Sequence, residues 1–108
     1  MILSQENKKF NTTGSHLQGQ LNADFLDIVK SFGPPTIRWS IDDKVTREWN
    51  ITFDLEDGTT THATIYDYKS DVPAEFNQKW SIGGWEPMAA TCVNAVIALD
   101  KLFKKETV

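Results

Sequence analysis

From Lys44 to Leu55 the chain alternates. Val45, Trp49, Ile51, Phe53 and Leu55 fall on one side, interrupted by Arg47, while Thr46, Glu48, Asn50, Thr52 and Asp54 fall on the other. A period of two is that of a half-buried strand. The "EDG" at Glu56 to Gly58 predicts a three-residue hairpin loop with Gly58 in the left-handed position, and a return strand from Thr59 to Tyr68. Setting Leu55 opposite Thr59 brings Ile51 to Ala63 and Trp49 to Ile65, so that apolar residues share a side. A two-residue loop would instead oppose Trp49, Ile51 and Phe53 to Tyr66, Thr64 and His62. The first register also sets Arg47 against Asp67 and Val45 against Lys69 at the open end.

Two segments carry the helical period. In "ADFLDIVKSF", Phe25, Ile28, Val29 and Phe32 stand at i, i+3, i+4 and i+7. Asn22 is the expected N-cap, Asp24 and Asp27 suit the N-terminal dipole, and Gly33 with Pro34-Pro35 stops the helix. A long helix is predicted from about Pro87 to Lys104. Its expected buried stripe is Met88, Cys92, Ala95, Val96, Leu99, Leu102 and Phe103, with Lys101, Lys104 and Lys105 near its C-terminal end. "TIRWS" (Thr36 to Ser40) and "KWSI" read as short strands, and Asp42-Asp43 as a turn. The predicted fold class is therefore α+β: a small antiparallel sheet of three to four strands, with an N-terminal helix and a long C-terminal helix packed on one face.

The first twenty residues are rich in Asn, Gln, Ser, Thr and Gly and show no sustained period. They read as a flexible arm, docking through Ile2, Leu3 or Phe10, ahead of a single domain over 21–108. A chain of 108 residues with 40% hydrophobic content builds one core. No apolar run approaches the roughly 20 residues of a membrane span, and the polar N-terminus is unlike a secretory signal. The single cysteine, Cys92, excludes an internal disulfide framework and fits a reducing cytosol, and its apolar setting makes it a small buried hydrophobe. A net charge of -4, evenly scattered, lacks the basic face of a DNA binder.

Candidate chemistry is narrow. Two histidines, His16 and His62, with one cysteine do not make a zinc site, and the aspartates do not form a calcium loop. There is no nucleophile elbow, P-loop or dinucleotide fingerprint. "HAT" at His62 to Thr64 has the form of one half of a two-histidine phosphoesterase, but "SHLQ" around His16 does not supply the other half. What remains is aromatic and basic: Trp49, Tyr66, Tyr68, Trp80 and Trp85, interleaved with Arg38, Lys44, Arg47, Lys69 and Lys79. Aromatic faces stack purines, and the cations neutralise phosphate. In "GGWEP", Gly83 and Gly84 would let a ligand approach the backbone at a helix start. Each residue also has a plain structural use: Trp49 in the core, Arg47 with Asp67 as a cross-strand ion pair, and the glycines as a turn. The case for a site rests on the cluster, because Tyr66, Tyr68, Trp80 and Trp85 cannot all enter the core of so small a sheet.

The motifs "FGPP", "WNITF", "DGT", "ATIYDYK" and "WSIGG", spanning about Phe32 to Gly84, resemble those of a widespread group of small phage-encoded proteins. The distance between "DGT" and "ATIY" is longer than in the pattern, because "TTH" intervenes. The resemblance extends to the anti-CBASS nucleotide sponges, which bind a cyclic oligonucleotide alarm signal without cleaving it. It implies a non-enzymatic protein acting in the host-cell cytoplasm without cofactor or metal. Its ligand would be a purine-containing cyclic di- or trinucleotide, held in a homo-oligomer with Trp80, Trp85 or the closing helix at the interface. The expected ligand-binding residues, on chemical grounds, are Arg47, Trp49, Tyr66, Tyr68, Lys69, Trp80, Gly83, Gly84 and Trp85. Direct inhibition of a host protein, as by an anti-CRISPR, is an alternative that would use the same aromatics as anchors. A structural phage protein and a small nucleotide hydrolase are the others.

Overall fold

The computed structural model describes residues 1–39 and 44–106, with side chains through 103. The long hairpin predicted from the alternation is present as two strands, Val45–Leu55 and Thr60–Tyr68. They become β4 and β5 once the earlier strands are numbered: β1 (Ile2–Asn7), β2 (His16–Asn22) and β3 (Ile37–Arg38). Lys79–Gly84 is β6, and the helices are α1 (Phe25–Phe32) and α2 (Met88–Glu106). The fold is α+β, and its antiparallel sheet has six strands rather than three or four. Five run in the order β1-β4-β5-β6-β2, and β3 pairs with β4 beyond the end of β1.

The extra strands come from the segment read as an arm. β1 pairs along β4 at one edge and β2 along β6 at the other. Both are polar edge strands whose mixed side chains carry no alternation, which is why periodicity passed over them. Residues 8–15 join the two edges, and so must cross the sheet.

The expected hairpin register is present, with Ile51 opposite Ala63 and Trp49 opposite Ile65. Gly58 takes the left-handed conformation, φ 88°. The open end differs from expectation. A bulge between Val45 and Glu48 sets Val45 opposite Tyr68, not Lys69. Asp67 causes it: the buried carboxylate accepts hydrogen bonds from the Thr46 and Arg47 amides, both at 2.9 Å, and from the Thr46 hydroxyl. The predicted Arg47–Asp67 ion pair is therefore replaced by an anion capping backbone donors. The Arg47 guanidinium turns instead to Glu75, at 3.7 Å.

Both helices lie on the sheet face that carries Trp49, Ile51, Phe53, Ile65, Trp80 and Ile82. α1 uses the predicted stripe: Ile28 and Phe32 are buried, and Phe25 and Val29 pack against the core. Its N-cap is Asp24 rather than Asn22, and the Asp24 amide donates to the Asp27 carboxylate at 3.3 Å. Gly33 ends it at φ 88°, its amide bonded to the Val29 carbonyl at 2.7 Å. α2 is turned from its expected orientation. Ala89, Cys92, Val93 and Ile97 face the core, while Met88, Ala95, Leu99, Leu102 and Phe103 stay exposed. The "TIRWS" strand shortens to Ile37–Arg38, and the Asp42-Asp43 turn lies outside the described residues. Among the described residues no helix is long and apolar enough to cross a membrane.

Candidate functional site on the open face of the sheet

Two of the predicted site residues belong to the core. Trp49 and Trp80 are fully buried and meet edge to face, 5.4 Å between ring centroids. Their indole N–H groups donate to the carbonyls of Gly33 (2.9 Å) and Ala23 (3.0 Å). Each ring thus ties one end of the α1 region to the sheet, and neither can meet a ligand. A buried Trp needs a partner for its N–H, and the chain ends flanking a short helix supply carbonyls for this.

The other sheet face carries Glu48, Asn50, Thr64, Tyr66, Tyr68, Ser81 and Gly83, and no helix among the described residues covers it. The 8–15 segment crosses here as a strap. The Phe10 amide donates to the Asn50 side-chain oxygen (3.3 Å), and its ring packs on His62 and Trp85 with centroids 5.0 and 6.0 Å away. Asn50 is buried beneath it. Beside the strap lies a cleft of about 420 Å³ bordered by Thr12, Ser15, His16, Glu48, Thr64, Tyr66, Tyr68, Ser81 and Gly83. Tyr66 and Tyr68 stand perpendicular there, 6.5 Å apart and 88° between planes.

Gly83 forms part of the floor of this cleft. A Cβ on it would come within 2.6 Å of the Thr64 hydroxyl and 3.4 Å of the Tyr66 ring. Gly84, one residue on, points to the other face, where a Cβ would meet the Ala89 methyl at 2.7 Å and the His62 carbonyl at 2.9 Å. The glycine doublet therefore serves two purposes. Gly83 keeps the cleft open, and Gly84 lets α2 approach the sheet.

Among the described residues Glu48 is the one acidic group in the cleft lining. Its carboxylate accepts from the Asn50 amide at 2.7 Å, and burial raises its pKa above the ordinary carboxylate value, opposed by that bond and by Lys9. Burial also raises the Tyr66 phenol, with the nearby Glu48 adding to the effect. Tyr66 is thus a neutral donor across the physiological range.

The cations stand apart. Lys44, Arg47 and Lys69 line a neighbouring basin of about 310 Å³ with Trp39 and Asp67. Lys69 links the two places, its ammonium 5.3 Å from the centre of the Tyr68 ring. Trp85 lies beyond the strap and is held by Phe10 and His62. The start of α2 offers little to an anion, because Glu86 occupies it and accepts from Thr61 at 2.7 Å. The structure thus brings together Tyr66, Tyr68 and Gly83, with the Lys69 ammonium against the Tyr68 ring; Arg47 lies with Asp67 and Glu75 on the other side of the sheet. Trp49, Trp80, Gly84 and Trp85 lie elsewhere. Sequence reasoning missed Glu48, Thr64, Ser81 and the strap, although Glu48 and Thr64 stand on the same alternating face as Tyr66.

Among the described residues no three of His, Cys, Asp and Glu are grouped to hold a metal ion. Comparison of the chain with protein families, curated proteins and solved structures finds no match.

Proposed function

We propose that the open-face cleft binds a purine base of a cyclic oligonucleotide and that the protein sequesters this ligand without cleaving it. The observation that carries the reading is the perpendicular Tyr66–Tyr68 pair over the Gly83 floor, with the Lys69 ammonium at the outer ring rather than in the cleft. That division suits a nucleotide. The base stacks on a tyrosine ring and meets the hydroxyls, and a phosphate lies towards Lys69, whose ammonium reaches the Tyr68 ring. A volume of about 420 Å³ is in the usual range for small-ligand sites. Glu48 further favours guanine over adenine. A half-buried acceptor with no cation within salt-bridge distance among the described residues is matched by the adjacent N–H donors of guanine, whereas adenine offers a ring acceptor there.

The role as a phage anti-defence sponge in the host cytoplasm rests on the motif resemblance and is proposed with it. Homo-oligomerisation is part of the same reading, although enclosure of the ligand between chains is not needed, since the strap already walls one side. Backbone amide NMR during titration with a cyclic guanine dinucleotide tests the site. Shifts at Glu48, Tyr66, Tyr68, Ser81 and Gly83 are expected. Shifts confined to α2, or none at saturating ligand, would refute it.

A further inference from the structure

α2 carries two apolar stripes and buries one. Ala89, Val93 and Ile97 enter the core. Met88, Cys92, Ala95, Leu99 and Leu102 form a second stripe at spacings of four, three, four and three residues, which is a heptad seam. Cys92 is shared with the core, but Met88, Leu99 and Leu102 are 43%, 53% and 53% exposed, and the adjoining Phe103 is 60% exposed. The seam borders a groove of about 980 Å³ between α2 and β1, whose opposite wall includes Ile2 and Leu3. Leu3 is itself 67% exposed. A helix apolar over so much of its circumference ordinarily has a partner on each apolar side.

We infer that this seam is the interface of a two-fold homodimer in which α2 pairs antiparallel with α2 of a second copy. The seam argues for a helix as occupant, since a two-in-seven apolar repeat matches the knobs and holes of another helix. A two-fold axis lets one self-complementary stripe serve both copies. The small exposed Ala95 sits at the middle of the seam beside the buried Cys92, where the helices would cross most closely. Met88 of each copy would then meet Leu99 of the other. The five exposed side chains Leu3, Met88, Leu99, Leu102 and Phe103 offer roughly 100 Å² each, or about 500 Å² per copy, before Ile2, Ala95 and Val96 are counted. A standard stable interface buries about 800 Å² per partner, so the face is of the right order. This arrangement leaves both open-face clefts on the outside of the dimer, because α2 covers the opposite face of the sheet. It therefore stands whether or not the cleft binds a nucleotide.

Light scattering on the full chain, with Leu99→Glu and Leu26→Glu, tests it. The wild type is expected at twice the 12.2 kDa chain mass. Leu99→Glu should be monomeric with unchanged far-UV circular dichroism. Leu26→Glu, at a more exposed leucine on α1 away from the seam, should remain dimeric. A monomeric wild type at micromolar concentrations, a Leu99→Glu variant that stays dimeric, or dissociation by Leu26→Glu would overturn the inference.

Discussion

Asp67 and Glu48 show how two carboxylates on neighbouring strands come to opposite uses. Asp67 faces the helices and spends its charge on two backbone amides and a hydroxyl. Removing it leaves those buried donors unpaired, so Asp67→Ala should lower the unfolding free energy in urea by about 3 kcal/mol. Arg47→Ala removes an exposed contact to Glu75 and should cost no more than ~0.5 kcal/mol. Equal losses from the two variants would show that the bulge is held by the ion pair after all. Glu48 has no such set of donors. Its folded pKa lies above the ordinary carboxylate value of 4.5, so the folded state binds its proton more tightly than the unfolded chain does. Stability is then fully present below that ordinary value and is lost as pH rises through the raised one. Glu48→Gln keeps an acceptor for Asn50 and removes the ionisation. It should raise the melting temperature at neutral pH, with the gain vanishing near pH 4. A melting temperature lowered at neutral pH would contradict this account of Glu48. If the carboxylate also holds a guanine, the same variant is more stable and binds less, the trade expected of a functional group kept at a stability cost.

At the scale of elements, what was legible depended on whether one residue faced one environment. The β4–β5 register followed from burial because Trp49, Ile51, Phe53, Ala63 and Ile65 all face the core and slipping by one would expose them. α1 followed from its single stripe. β1 and β2 were illegible because edge strands pair through backbone while their side chains stay mixed, and Gln5 and Asn7 reach α1 carbonyls that no sequence pattern announces. α2 was misjudged in rotation because its sequence holds two stripes and the heptad one is the more regular. The candidate site was half visible: Tyr66 and Tyr68 declare themselves, but Trp49 and Trp80 look the same in sequence, and burial alone separates them. Gly84 is the element-scale test of close packing. Gly84→Ala drives a methyl against Ala89 and the His62 carbonyl, so it should destabilise by about 1–3 kcal/mol in thermal or urea unfolding, with ligand contacts on the other face kept. A neutral substitution would mean that α2 is free to shift.

For the molecule as a whole, the sheet divides the labour. Its helix face makes the core and, through the outer stripe of α2, the surface assigned to a second copy. Its open face is left to the strap and the tyrosine cleft. The central claim concerns that cleft, and calorimetric titration of the wild type and Glu48→Gln with cyclic di- and trinucleotides of guanine and of adenine tests it most directly, followed by recovery of the ligand. The account predicts saturable binding of a guanine-containing ring, at least tenfold weaker binding in Glu48→Gln (about 1.4 kcal/mol or more), and ligand recovered intact. Silence across the panel would contradict nucleotide binding. A linearised product would contradict sequestration and turn attention to His62 on the open face.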